Sequence, residues 1–155
     1  MKGSTNYGQN SKMKIIILVN NKFVAKALKR YLYFVFNFSM QDSFVLTFSN
    51  TRGLSRKILQ SKLWLIDGWN SPYNWDPEGF RTAYKLAGTI KCLLLFYNVP
   101  EGFPEEGKFW CNPLKCNLQE KIKEVLENPP PEKADFKKLI KMWPELAKEP
   151  KHHHH

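Results

Sequence analysis

Apolar positions along this chain follow two alternating rhythms. Ile15-Ile16-Ile17-Leu18-Val19 is an unbroken apolar run of strand length, the pattern of a strand covered on both faces. Val24, Ala27, Leu28, Tyr31, Leu32 and Val35 then recur at the i, i+3, i+4, i+7 spacing of a helix with one buried stripe. Phe44-Val45-Leu46-Thr47-Phe48 predicts a second strand. Asn50 or Thr51 caps a second helix carrying Leu54, Ile58 and Leu59. Leu63-Trp64-Leu65-Ile66 is a third strand, ended by Asp67-Gly68, and a polar, aromatic loop from Trp69 to Asp76 follows it.

The second half keeps the alternation with one interruption. Pro77 opens a helix that turns Phe80, Ala83, Tyr84 and Ala87 inward, and Gly88 stops it. Cys92-Leu93-Leu94-Leu95-Phe96 is a fourth, wholly apolar strand. Asn98 to Gly107 holds two prolines and two glycines, too broken for a full helix. Lys108 to Cys111 is a fifth strand, and Asn117 caps a helix presenting Leu118, Ile122, Val125 and Leu126. Five strand-to-helix repeats predict an α/β domain with a parallel sheet and helices on both faces. Pro129-Pro130-Pro131 ends this body. Asp135 to Trp143 then predicts an amphipathic helix with Phe136, Leu139, Ile140 and Trp143 on one face, ended by Pro144. The chain thus divides into a flexible segment 1–12, a body 13–128, a proline linker with C-terminal helix 129–151, and 152–155, four histidines that read as a tag remnant.

Composition changes this picture little. No apolar run reaches the length of a membrane span, and nothing resembles a signal peptide, so a cytoplasmic location is expected. Cys92, Cys111 and Cys116 make an odd count. The first two fall in predicted strands, which favours reduced, buried thiols, and no histidine outside the tag remnant is present to help hold zinc. The net charge is +10, and residues 1–118 carry 16 Lys/Arg against 7 Asp/Glu, while the remainder carries 8 against 7. The basic character is therefore expected on the body, where Arg52, Arg56, Lys57, Arg81 and Lys85 form a candidate patch for nucleic acid, against the plainer reading of a solvated face.

In an open parallel sheet the residues ending the strands line the functional crevice. Here they are Asn20 and Asn21 after the first strand, Asp67 after the third, Phe96 after the fourth and Asn112 after the fifth. In order and spacing, residues 14–127 resemble the receiver domain of two-component response regulators (CheY-like). That resemblance implies a flavodoxin-like (βα)5 sandwich with a five-stranded sheet of order 2-1-3-4-5, here with a reduced fourth helix and an extra C-terminal one. It also implies that Asp67 stands at the phosphoacceptor position. The acidic pair becomes Asn20 and Asn21, the hydroxyl residue becomes Phe96, the lysine becomes Asn112, and Pro113 keeps the proline that follows it.

Those departures matter chemically. Phosphoryl transfer to a carboxylate needs Mg²⁺ on charged oxygens, and amides supply none, so no cofactor is expected and Mg²⁺ binding should be weak or absent. Asn20, Asn21 and Asn112 are instead expected to donate to Asp67. The expected function is that of a pseudo-receiver in a signalling pathway, not an enzyme, acting by phosphorylation-independent protein–protein interaction. Trp69, Tyr73 and Trp75 are a candidate binding loop, or else a cover for Trp64 and Trp110. The C-terminal helix docks on the body, forms a homodimer, or awaits a partner. The alternatives are an active receiver phosphorylated on Asp67 by a histidine kinase, and a basic nucleic-acid-binding protein. A flavin or nucleotide binder fits worst, because Asn20-Asn21-Lys22-Phe23 has no glycine to cradle a phosphate.

Overall fold

A computed structural model describes residues 15–19, 21–36, 43–46, 61–68 and 77–148. The predicted helix between residues 50 and 60, the loop 69–76 and the end of the second strand lie outside them. The protein is an α/β protein built on a parallel sheet. Its strands are β1 (Ile15–Leu18), β2 (Ser43–Leu46), β3 (Leu63–Asp67), β4 (Cys92–Leu95) and β5 (Trp110–Cys111), arranged β2-β1-β3-β4-β5. The register places Ile17 opposite Val45 and Leu65, Trp64 opposite Cys92, and Leu95 opposite Cys111.

Strand alternation sorts the side chains into two cores. Ile15, Ile17, Leu63, Leu65, Leu93, Leu95 and Cys111 face helices α1 (Lys22–Phe36) and α3 (Leu118–Glu127). Ile16, Leu18, Trp64, Ile66, Cys92, Leu94 and Phe96 face α2 (Glu78–Lys85) and α4 (Lys133–Met142). Both faces are covered, which is why these strands carry no polar alternation. Cys92 and Cys111 are buried, and burial pushes the Cys92 thiol up to about 12.

Helix α1 buries Ala25, Leu28 and Leu32. Ala27, expected inside, faces solvent instead. The small Ala25 stands where the helix meets the sheet, and the two leucines set the rotation of the stripe. Helix α4 starts earlier than expected, because Glu132 and Asp135 form a reciprocal capping box at its amino end. Gly88 ends the turn after α2 with a φ of 81°, and its N–H donates to the Pro131 carbonyl at 2.7 Å. The triproline is thereby tied to the end of α2.

The link from β4 to β5 contains no helix, and β5 is two residues long where four were expected. Residues 105–107 fold back along the outer side of β5, with Asn112 N–H donating to the Glu105 carbonyl at 2.7 Å and Gly107 N–H to the Trp110 carbonyl at 2.9 Å. This antiparallel strip covers the free edge of the sheet. Lys121 on α3 pins it: its buried ammonium donates to the Gly107 carbonyl at 2.6 Å and pairs with Glu124 at 3.0 Å and Glu106 at 3.1 Å.

The surface a crossover helix would have covered is covered by α4 and the 3-10 turn Pro144–Ala147. Phe136 packs on Phe109 (4.9 Å between ring centres), Phe80 (5.6 Å) and Tyr84 (5.6 Å, stacked). Trp143 lies against Phe96 at 5.2 Å and Phe103 at 5.3 Å, and Leu146 is fully buried behind it. The apolar face of the C-terminal helix is thus used on its own body. Truncating a buried indole costs about 3–5 kcal/mol, so Trp143→Ala should lower the urea midpoint accordingly. Met142→Ala, on the exposed side, should leave it almost unchanged.

Candidate functional site

The carboxyl end of the sheet is built around Asp67, the last residue of β3 and only 8% exposed. Its backbone is fixed on two sides. It pairs with Leu95, and the following Gly68 N–H donates to the Leu95 carbonyl at 3.0 Å. From the other side the first turn of α2 presses directly on it: a Cβ added at Gly79 would stand 1.9 Å from the Asp67 carbonyl oxygen. Helix α2 can approach the strand end this closely only because residue 79 has no side chain.

Three strand-end residues besides Asp67 are described, and each of them has a structural task. Asn21 is exposed, and its Oδ1 accepts from the N–H groups of Phe23 (2.8 Å) and Val24 (3.2 Å), capping α1. Phe96 points into the core under Trp143 and has no exposure. Asn112 is 4% exposed and fully engaged. Its Nδ2 donates to the Tyr97 carbonyl at 3.2 Å and to Glu105 Oε1 at 3.0 Å, and its Oδ1 accepts from Leu114 N–H at 3.0 Å. The expectation that Asn112 donates to Asp67 is thereby corrected, since its Nδ2 donates to the Tyr97 carbonyl and to Glu105 of the edge strip. Pro113, half-buried, opens the turn that follows.

Tyr97 is the residue that sequence reasoning missed. It follows Phe96, so strand alternation sends it to the opposite face, among Cys111 and its neighbours. Burial, reinforced by the negative charge of Asp67, pushes its phenol up to about 12, so the hydroxyl beside Asp67 is neutral and able to donate. The signal was a Phe-Tyr pair at a strand end, of which only the first member was read.

The remaining candidates are dispersed. Asn20, Trp69, Tyr73, Trp75, Arg52, Arg56 and Lys57 lie outside the described residues. Arg81 and Lys85 both sit on α2, Lys85 exposed and Arg81 half-buried. No group of three or more His, Cys, Asp or Glu side chains among the described residues could hold a metal ion, and no helix among them is long and apolar enough to cross a membrane. A cleft of about 130 Å³ lies at the opposite end of the sheet, between Lys108, Phe109, Val125 and the triproline. It is far from Asp67 in the fold and shares no residue with the strand ends. Set beside known families, characterised proteins and solved structures, the chain matches none.

The Asn112 network has a pH signature. The hydrogen bond from Asn112 holds the Glu105 carboxyl below its ordinary value; partial desolvation opposes this, and Lys115 at 3.3 Å adds to it. A carboxyl lowered in the folded state stabilises above its unfolded pKa of about 4.3, and that contribution disappears as pH falls through the folded value. Urea midpoints followed downward from pH 5 should therefore fall less steeply in Glu105→Gln than in the wild type. Asn112→Ala should cost about 1–3 kcal/mol at neutral pH, because the Tyr97 carbonyl and Leu114 N–H lose their partner.

Proposed function

We propose that the chain is an atypical receiver-like domain, a flavodoxin-like (βα)5 sandwich in which the C-terminal helix stands in for the helix between β4 and β5. In this reading it is a non-enzymatic signalling component that acts by docking to a protein partner, without aspartyl phosphate. The observation that carries the reading is the employment of the strand-end residues: Asn21 caps a helix, Phe96 lies in the core under Trp143, and Asn112 staples the edge strip. None of these side chains is placed to hold a divalent cation or to neutralise a phosphoryl group on Asp67.

The strand order, the helices on both faces and the position of Asp67 favour the receiver resemblance over unrelated α/β designs. Protein docking is favoured by aromatic side chains on the outer side of α1, where Phe23 and Phe34 are 71% and 78% exposed. A homodimer in which the C-terminal helix contributes its apolar face would require that helix to leave its own body, which disfavours that arrangement. An active receiver remains the competing reading, because Asp67 is retained at the end of β3.

Intact mass after incubation with Mg²⁺ and acetyl phosphate separates the two. The wild type is expected to keep its mass. A gain of one phosphoryl group in the wild type, absent from Asp67→Asn, would overturn the proposal and make Asp67 a working phosphoacceptor.

A further inference from the structure

Helix α4 has two faces, and only one of them is explained by the fold. Lys133, Lys137, Lys138 and Lys141 are all exposed on its outer side, and Lys148 is exposed beyond the 3-10 turn. Lys133, Lys137 and Lys141 follow one another at i, i+4 and i+8, so they form a single row about 12 Å long. Residues 132–148 hold five lysines against three acids, of which Glu145 is exposed in the 3-10 turn four residues beyond Lys141. Glu132 and Asp135 are engaged with the backbone of the capping box. Lys115 and Lys121, by contrast, form ion pairs with Glu105, Glu106 and Glu124. Tyr84 stacks on Phe136, so α2 lies alongside α4 and adds the exposed Lys85 to the same side of the molecule.

We propose that this lysine face binds the phosphate backbone of a nucleic-acid duplex. Over 12 Å of axis a DNA duplex presents on the order of seven phosphates, enough for every lysine of the row. The face offers only Ala134 and Met142 as exposed apolar side chains, whereas a protein interface wants an apolar core. An anionic membrane would want an apolar wedge, but Phe136, Leu139, Trp143 and Leu146 are buried against the sheet. Positive charge on a rigid, convex element, without apolar anchors, matches sequence-independent phosphate contact.

The test is fluorescence anisotropy of a labelled, random-sequence DNA duplex of about two turns, titrated with the full chain at salt from about 50 to 200 mM. The wild type is expected to bind with a dissociation constant of about 1–100 µM, weakening linearly in log–log form. Replacing all four α4 lysines by Gln should weaken binding at least tenfold and reduce the salt slope by up to ~3.6, at about 0.9 per lost contact. The matching replacement of Lys22, Lys26, Lys29 and Arg30 on α1, across the sheet, should change it less than twofold. Lysine acetylation footprinting on the wild type, which does not depend on the variants folding, should show Lys133, Lys137, Lys138 and Lys141 protected by duplex. Four results would overturn the proposal: no binding at the lowest salt, equal loss in both variants, no protection of these lysines, or tighter binding to phosphatidylserine vesicles than to duplex.

Discussion

Everything on one side of the sheet depends on the docking of α4 and Trp143 over β4 and β5. A parallel sheet is stable only when both faces are covered, and the chain between β4 and β5 supplies no helix for the purpose. Without the C-terminal segment, Leu94, Phe96, Phe103 and Phe109 would lose their covering layer. Phe136, Leu139, Trp143 and Leu146 fill that space, with Phe136 and Trp143 in ring contact with Phe109 and Phe96. The covering helix arrives from the end of the chain, so a long sequence separation is closed by aromatic packing and by the Gly88–Pro131 hydrogen bond. The triproline limits the freedom of the linker and thereby lowers the entropic cost of that closure.

The same docking determines what the strand ends can do. Trp143 presses on Phe96, and Phe96 in turn stands within contact of any side chain placed at Gly68. That corner beside Asp67 therefore belongs to the hydrophobic core instead of to solvent. On the other face, Asn112 joins β5 to the strip 105–107 and to Tyr97, with Lys121 fastening the strip to α3. Asp67 sits between that apolar corner and the hydrogen-bond network of Asn112.

The apolar runs of β1, β3 and β4, the caps at Asn21 and Asn117 and the amphipathic α3 were legible because each is a local signal, written within a few residues. What escaped was non-local. Sequence spacing placed Phe136, Leu139 and Trp143 on one face of a helix, but nothing in the spacing said which surface that face would meet. The vacancy left by the proline-broken 98–107 segment was the clue, and it becomes visible only when both segments are considered as parts of one layer. Ala27 was misassigned because an alanine carries too little apolar area to fix a helix's rotation by itself. Asn112 was assigned to Asp67 by position, whereas its partners Tyr97 and Glu105 follow from the edge strip, an antiparallel turn that periodicity does not announce.

Charge reads differently along the chain and across the fold. Counted along the sequence, the stretch after residue 118 is nearly neutral: α3 almost balances itself, three glutamates against two lysines, and Glu132, Asp135, Glu145 and Glu149 offset most of the lysines from Lys133 onward. Folding then sorts these charges: α3 lies on the opposite face of the sheet from α4, Glu132 and Asp135 are held in the cap of α4, and Glu145 lies beyond its end in the 3-10 turn. The apolar face that completes the core also fixes the orientation of the helix, so the lysine row is held in one direction without further interactions. A solvated helix would scatter such charges and lose entropy in gathering them on a ligand, whereas this one has already met that cost in folding. One segment therefore closes the sheet, packs the strand-end corner shut and displays a preorganised cationic surface. The apolar residues that cover the sheet and the lysines of the outer row are neighbours on the same ten-residue helix.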